Sequence, residues 1–153
     1  MSEILSVIQT VARPRPEIGQ IGEALATEYL EQNGYRLVLS NFKVPIGRNS
    51  KGVQVTGEID VIALERDVLC FVEVKTKRSA VFAAPIATVD LRKQRQITRT
   101  ARVYRKIFGL HDSKYRFDVV SIILEMSESK IELSKGFWIE AKFRKKAWTG
   151  DIW

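Results

Sequence analysis

The spacing of hydrophobic positions along the chain predicts one helix followed by three strands in the first half. Between Glu17 and Asn33, apolar residues recur every three or four positions, so one face of a helix is apolar, and Asn33-Gly34 predicts its end. Residues 35–44 predict a strand. The stretch 57–77, GEIDVIALERDVLCFVEVKTK, predicts two strands joined by a polar turn.

The second half adds a long helix and further strand signals. Thr88 or Asp90 can cap a helix that ends near Phe108, before Gly109. Residues 115–126 predict an apolar strand, and residues 131–133 a short, weaker one. The resulting order of elements, αβββαβ, predicts an α/β fold with a mixed β-sheet flanked by helices.

The regions outside these elements have a different composition. Residues 1–16 end in RPRP and predict a flexible N-terminal arm, because each proline blocks helix continuation. Residues 17–140 form the predicted domain, and residues 141–153 form a basic, aromatic C-terminal tail. The segment 45–57, PIGRNSKGVQVTG, predicts a mobile loop that carries Arg48 and Lys51.

Composition restricts the kinds of chemistry that the chain can perform. Of 153 residues, 45% are hydrophobic and 28% charged, and no apolar run approaches the roughly 18 residues of a membrane span. We expect a cytoplasmic protein with no membrane partner. The lone Cys70 lies in an apolar run and predicts a buried, inert thiol, and the lone His111 leaves no His/Cys set for zinc. Any catalytic metal must therefore be held by oxygen.

Four charges inside the predicted hairpin need an explanation, because buried charge is costly unless it is compensated. With Arg66-Asp67 as the turn, the register places Asp60 opposite Glu73 and Glu58 opposite Lys75. Alternation then puts all four on one face, and Ile59, Val61, Val72 and Val74 on the other.

Two interpretations of this charged face stay open. A solvated polar face explains the Glu58 and Lys75 pair, as an ordinary cross-strand ion pair. Asp60 against Glu73 is different, because facing carboxylates repel unless they share a proton or bind a cation. A hard divalent ion such as Mg²⁺ suits them, and Lys75, further along the same face, could stabilise negative charge on a phosphate.

Four blocks in this order resemble a known family: GQIGEALATEYLEQNGY, GEIDVIA, FVEVKTK and YRFDVV. An acidic residue on one strand followed by Glu-x-Lys on the next resembles the PD-(D/E)xK nuclease superfamily. The four blocks together resemble its YraN-like family of largely uncharacterised bacterial proteins, related in fold to archaeal Holliday-junction resolvases. The resemblance covers about Gly19 to Ile122 and implies a restriction-endonuclease-like core.

The resemblance also implies roles for particular residues. Asp60 and Glu73 would be ligands of Mg²⁺ or Mn²⁺, the Val74 carbonyl a further ligand, Lys75 the catalytic lysine and Glu23 the helix carboxylate that completes the site. The position of Glu23 at the edge of the apolar helix face is compatible with this role. Two departures stand out. Residues 41–57 form a longer segment than the family pattern, and Lys77 replaces its usual arginine, which loses a bidentate phosphate fork.

The second predicted helix concentrates positive charge on one face. Five cations fall within a sector of about 80° on a helical wheel, and we call them the basic ridge: Arg92, Arg95, Arg99, Arg102 and Lys106. Ile97, Ala101, Tyr104 and Phe108 occupy the opposite side. Self-repulsion disfavours such a ridge for stability alone, so it favours contact with a phosphate backbone. Lys93 lies toward the inward face, either snorkelling along the core or contacting phosphate near Lys75.

The formal net charge of +7 favours polyanionic partners. The sequence therefore predicts a metal-dependent nuclease acting on nucleic acid, expected to be DNA, in a structure-directed or nonspecific way. Two alternatives stay open: a nucleic-acid-binding protein with this fold but no turnover, and a protein-interaction module that uses the basic helix. The cations and tryptophans of the tail are suited to binding single strands or unpaired bases. Alternatively, the tryptophans cover the edge of the core or form a dimer contact. A junction-resolving role would imply a homodimer by fold analogy.

Overall fold

A computed structural model of the protein describes residues 17–78 and 89–143 as a five-stranded sheet with a helix on each face. The strands lie in chain order; β3 and β4 are parallel, and the other three neighbouring pairs are antiparallel. The elements are α1 (Ile18–Gln32), β1 (Tyr35–Arg48), β2 (Gln54–Glu65), β3 (Val68–Arg78), α2 (Leu91–Ile107), β4 (Tyr115–Leu124), β5 (Lys130–Trp138) and a 3₁₀ helix (Glu140–Phe143). This is the mixed α/β, restriction-endonuclease-like core that the sequence predicts, and the weak strand signal at residues 131–133 belongs to the longer strand β5.

Each face of the sheet has its own hydrophobic cluster. On the α2 face, Phe71 and Phe117 pack under Ile97 and Tyr104 of the helix, and Trp138 stacks on Phe117 with ring centroids 4.7 Å apart. On the α1 face, the cluster comprises Ala26, Leu30, Tyr35, Val61, Ala63, Cys70, Val72, Val120 and Ile122. Burial of each large apolar side chain stabilises the fold by roughly 1.5–3 kcal/mol. Both helices are therefore held by packing on the sheet.

A close approach between α1 and β3 depends on the absence of a side chain at Gly22. A Cβ atom built there would lie 1.7 Å from Thr76 Oγ1. Glycine thus lets the helix backbone sit directly against β3. The same contact places the next residue of the helix, Glu23, beside the carboxyl-terminal half of β3.

The first two strands form a longer hairpin than the sequence predicts. Residues 45–57 were expected to form a loop, yet β1 continues to Arg48 and β2 begins at Gln54. Pro45 is tolerated because β1 is an edge strand, and a register shift before Gly47, which has a φ of 133°, accommodates the bend. Asn49 Oδ1 closes the turn by accepting hydrogen bonds from the N–H groups of Lys51 and Val53, at 2.9 and 3.0 Å. The loop prediction is therefore wrong for most of this segment.

Helix α2 begins and ends close to its predicted limits. Asp90 caps it, because Asp90 Oδ1 accepts a hydrogen bond of 2.8 Å from the Lys93 N–H. Thr88, the other candidate cap, lies outside the described residues. Ile97, Ala101 and Tyr104 are buried as predicted. Phe108 is 55% exposed, because it follows the last helical turn and contacts only the edge of the core through Tyr104.

The chain after β5 returns to helix α2 through Glu140. This buried carboxylate accepts hydrogen bonds from Arg102 Nε at 2.9 Å and Arg105 Nη2 at 3.0 Å. The predicted boundary after residue 140 falls inside the 3₁₀ helix. The predicted arm, residues 1–16, and residues 144–153 of the predicted tail lie outside the described part of the chain. Neither described helix has the length and hydrophobicity needed to cross a membrane.

Candidate active site

The β2–β3 hairpin has the predicted register as far as the middle of both strands. Glu65 pairs with Val68 across the turn, and the ladder continues to Val61 opposite Val72. Arg66 adopts a positive φ of 55°, which gives the two-residue turn the backbone twist that a tight hairpin needs. The expected register is confirmed over this part of the hairpin.

Beyond Val61 the two strands separate, and Asp60 occupies the point where they divide. Asp60 Oδ2 accepts a hydrogen bond of 2.9 Å from the Val74 N–H. A side-chain carboxylate thus bonds a backbone N–H at the position where ladder pairing ends. Asp60 lies close to Glu73, as predicted, and also bonds the peptide that follows Glu73, although the two residues are not a pair of the ladder.

The separation also changes which side chains share a face. Ile59 packs with the α2-side cluster, whereas Val61 packs with the α1-side cluster. Gly57 likewise faces α2, because a Cβ atom there would lie 2.0 Å from Thr100 Oγ1. The prediction that Ile59 and Val61 share a face is wrong, because β2 twists at Asp60, where it leaves β3.

Glu58 does not take its predicted place opposite Lys75. Its neighbours Gly57 and Ile59 both pack toward α2, so alternation turns Glu58 to the other side of β2. Lys75 Nζ instead lies 3.7 Å from Glu73 Oε1, on its own strand. The Glu58 and Lys75 cross-strand pair is therefore a wrong prediction.

Glu73 is the most unusual residue of this region. Glu73 is only 4% exposed, and its Oε2 atom is buried without a hydrogen-bond partner. Burial, and after it the nearby Asp60, raise the pKa of Glu73 to about 8, against the opposing effects of Lys93 and Lys75. The two carboxyl groups are close enough for a protonated Glu73 to hydrogen-bond Asp60. The site thus needs a proton, or another cation, between these carboxylates at neutral pH.

The donor set fits a hard divalent cation in part. Glu73 offers a buried, unpartnered oxygen, and Asp60 retains a second carboxylate oxygen beside it. Glu23 is half-buried on α1 next to the Gly22–Thr76 contact. Within residues 17–78 and 89–143, no three His, Cys, Asp or Glu side chains come together as a metal-binding group. The structure therefore joins Asp60, Glu73 and Lys75, and leaves Glu23 outside that group.

The basic ridge is exposed along its whole length, as predicted. Two of its members also bond within the protein: Arg99 Nη2 donates to the Ile46 carbonyl at 2.5 Å, and Arg102 forms an ion pair of 2.9 Å with Glu140. Arg92, Arg95 and Lys106 are the remaining ridge residues. The ridge is thus fixed at its centre by the β1–β2 hairpin and near its end by the 3₁₀ helix.

The other predicted nucleic-acid contacts lie on both sides of this ridge. Lys93 is half-buried, and its charge acts on Glu73, which agrees with its predicted inward position near Lys75. Arg48 Nη1 donates to the Gly52 carbonyl at 2.7 Å, and Lys51 is exposed in the same hairpin turn. Lys77 is exposed at the end of β3, two residues beyond Lys75. A positive surface therefore extends from the hairpin turn past the candidate site.

A second carboxylate that the sequence analysis did not single out lies on the other face of the sheet. Asp118 is fully buried and accepts hydrogen bonds from Arg116, at 2.7 and 2.9 Å, from the Tyr35 hydroxyl at 3.0 Å and from the Gly136 N–H at 2.9 Å. Arg116 also donates to Glu65 at 3.0 Å. The block YRFDVV contained the sequence signal for this buried network, because a charge within an apolar strand requires a buried partner.

The chain matches a protein-family model and a set of related bacterial proteins. The model of "Uncharacterised protein family UPF0102" matches residues 22–122. A UPF0102 protein of Acetivibrio thermocellus is 38% identical over 117 residues, which cover 76% of this chain and 83% of that protein. One of Dictyoglomus turgidum is 40% identical over 108 residues, covering 71% of this chain and 83% of that protein.

Among solved structures, the chain is similar to one described as the crystal structure of SSO0001. It is 15% identical, and the alignment covers 92% of this chain and 61% of that chain, with a TM-score of 0.36. At that TM-score the likeness adds nothing to the description of the fold.

Proposed function

The chain belongs to the uncharacterised protein family UPF0102, and we propose that it is a metal-dependent nuclease that hydrolyses phosphodiester bonds, with DNA as its substrate. The observation that carries this proposal is Glu73, a buried carboxylate with an unpartnered oxygen, next to Asp60 and Lys75. A structural carboxylate at such a position normally has its hydrogen bonds satisfied. Perturbed carboxylates beside a lysine are typical of catalytic sites.

Asp60 and Glu73 would hold Mg²⁺ or Mn²⁺, with the Val74 carbonyl as a further proposed ligand; Glu23, the fourth predicted ligand, lies outside this group. A divalent ion held there would polarise a phosphoryl oxygen and make water a stronger nucleophile. The hydrogen bond from the Val74 N–H to Asp60 orients that carboxylate, and Lys75 neutralises part of the charge on Glu73. Hydrogen-bonded support of this kind keeps ligand oxygens in place.

Lys75 has a second role in this proposal. Its side chain is 36% exposed, so its ammonium group reaches solvent while it remains 3.7 Å from Glu73. A cation in this position stabilises the negative charge that develops on a phosphate during hydrolysis. The basic ridge, Arg48, Lys51, Lys77 and Lys93 would contact the phosphate backbone. Phosphate contacts carry no base information, so binding is expected to be structure-directed or nonspecific.

The test is Mn²⁺-dependent cleavage of labelled single-stranded DNA, duplex DNA, four-way junctions and RNA. Glu73→Gln removes one charge at nearly constant volume, and Lys75→Ala removes the cation; each is expected to lower the rate at least about 100-fold. Glu31→Gln, the same chemical change at an exposed position of α1, serves as the matched control. Cleavage that survives both site variants would exclude this site as the catalytic centre. If the chain cleaves four-way junctions in preference to the other substrates, we also expect it to be a homodimer.

A second candidate function is nucleic-acid binding without turnover. The observation that favours it is that no metal-binding group of three side chains exists among the described residues. This candidate predicts binding in EDTA that weakens steeply with salt, and no cleavage with Mg²⁺ or Mn²⁺. Binding by the native chain together with an absence of cleavage on all four substrates would favour it over the nuclease.

A further inference from the structure

A cavity lies between the β1–β2 hairpin and the first half of α2, on the same face of the sheet as Glu73. Its volume is about 420 Å³, within the range of ligand-sized pockets. Ile46 and Val55 form an apolar wall on the hairpin side, and Arg92, Lys93, Arg95 and Arg99 lie on the helix side. The cavity thus combines an apolar wall with a row of cations.

The charge around this cavity is strongly unbalanced. Among its described lining residues, the four cations face a single acidic residue, Asp90. Asp90 is already used as the helix cap, where its carboxylate accepts the Lys93 N–H at 2.8 Å. The cations therefore have no carboxylate of their own in the lining, and an anionic ligand would complement them.

The two walls are fixed to each other by several contacts. Arg99 Nη2 donates to the Ile46 carbonyl at 2.5 Å, and Gln96 Nε2 donates to the Thr56 carbonyl at 3.2 Å. Gly57 allows β2 to approach Thr100 of the helix, because any Cβ atom there would overlap the threonine. The cavity is therefore pre-formed, which reduces the entropy lost on binding.

Lys93 connects the cavity with the candidate active site. It lines the cavity, and its charge also acts on the buried Glu73 carboxylate. The cavity also lies on the α2 face of the sheet, and Glu73 is directed to this face because its neighbours Val72 and Val74 pack toward α1.

We propose that this cavity is a subsite for one unpaired nucleotide that flanks the scissile phosphodiester. Arg92, Arg95 and Lys93 hold its phosphate, and Ile46 and Val55 contact its sugar and base. A recess between a hairpin and a helix accepts a single splayed nucleotide, whereas a duplex presents a convex surface that contacts only the ridge outside it. The position of the nucleotide relative to the reaction rests on the proposed nuclease function; its binding does not.

The experiment compares two labelled DNA ligands by fluorescence anisotropy in EDTA: a thymidine pentanucleotide and a short duplex. Val55→Phe fills the cavity without changing the charge, so we expect about tenfold weaker binding of the pentanucleotide and unchanged binding of the duplex. Arg92→Gln, at an exposed position, is expected to weaken the pentanucleotide more than the duplex. Lys106→Gln removes one charge from the same ridge outside the cavity and is expected to weaken both ligands by one common factor.

The proposal is overturned if Val55→Phe and Arg92→Gln weaken binding of the pentanucleotide no more than Lys106→Gln does. If circular dichroism shows that Val55→Phe is unfolded, the comparison of Arg92→Gln with Lys106→Gln decides. Thymidine 5′-monophosphate is added as a competitor. A site for free nucleotides would bind it as tightly as it binds the pentanucleotide, and this result would also overturn the proposal of a strand subsite. All measurements exclude metal, so loss of the proposed nuclease activity alone leaves this outcome unaffected.

Discussion

Glu73 and Asp118 are buried carboxylates on neighbouring strands, yet their surroundings differ. In the parallel β3–β4 ladder, Val72 pairs with Asp118 and Glu73 with Val119, so the two carboxylates are one position apart. They point to opposite faces of the sheet. Asp118 accepts hydrogen bonds from Arg116, Tyr35 and Gly136, whereas one oxygen of Glu73 has no partner.

The comparison distinguishes a structural charge from a functional one. A buried carboxylate that is paired and fully hydrogen-bonded holds its neighbours in place. One that is left incomplete lowers the stability of the protein unless a ligand or a proton completes it. The sheet therefore has a closed face around Asp118 and an open face around Glu73, and the following changes test that distinction.

The largest effect is expected from Asp118→Ala. This change leaves Arg116 partly buried without its main partner, which typically costs about 3–5 kcal/mol of unfolding free energy. Urea denaturation measures the loss. Asp67→Ala, which breaks the exposed ion pair with Lys114, is the control and is expected to have a much smaller effect. Equal effects of the two changes would mean that the closed network contributes no more than a surface pair.

A smaller effect of opposite sign is expected from Glu73→Gln in metal-free solution. The pKa of Glu73 is raised from 4.5 to about 8 in the folded protein, so between these values the folded state binds a proton that the unfolded state lacks. Native stability is therefore expected to fall as pH rises from about 4.5 to 8, and to level off above that. Glu73→Gln should remove this slope and raise the free energy of unfolding at pH 8.5.

Urea denaturation in EDTA across this pH range checks the prediction for Glu73. Glu31→Gln is again the control, because this exposed glutamate should leave the slope unchanged. A native protein whose stability rises steadily from pH 5 to 8 would contradict an elevated pKa at Glu73. Added Mg²⁺ or Mn²⁺ is expected to stabilise the native chain at pH 8.5 more than it stabilises Glu73→Gln.

Gly22→Ala tests how closely α1 packs over the closed face. The added methyl group overlaps Thr76, and overpacking of this kind costs about 1–3 kcal/mol. Gly19→Ala on the same helix meets nothing within 4 Å, so helix propensity should make it neutral or stabilising. Denaturation midpoints measure both changes. Combining Gly22→Ala with Thr76→Ala should recover part of the loss, and no recovery would place the cause elsewhere.

The smallest effect concerns Cys70, which is buried on the closed face as the sequence predicted. Burial raises the pKa of its thiol to about 12, so almost no thiolate exists at neutral pH. A disulfide reagent is therefore expected to leave the native chain unmodified over hours and to react rapidly in urea. Rapid reaction under native conditions would show that the closed face opens to solvent.

The sequence predicted features that depend on neighbouring residues along the chain. Periodicity identified both helices, Asp90 was one of two candidate caps, and the turn at Arg66-Asp67 set the hairpin register. These signals are local, because caps, turns and periodic faces involve residues only a few positions apart. The charged strand positions also indicated the candidate site, since Asp60, Glu73 and Lys75 come together in the structure.

Features that depend on distant contacts were missed or mistaken. The hairpin extends through Pro45 because residues 45–48 pair with 54–56 and Arg99 of α2 bonds the Ile46 carbonyl. The twist at Asp60 arises where β2 leaves β3, and it turns Ile59 and Glu58 away from their expected faces. Strand periodicity assumes a continuous ladder, so it fails where the ladder ends.

The parallel pairing of β3 with β4 has a consequence for how the chain folds. The strands β1, β2 and β3 are joined by short turns. In contrast, α2 and its connections separate β3 from β4 along the chain, so this whole segment must fold back before the two strands can pair. Closing that loop loses chain entropy before any contact is gained, so this pairing is expected to limit the folding rate. Because Glu73 and Asp118 lie on these two strands, we expect the open and the closed carboxylate to acquire their environments together, when this pairing forms.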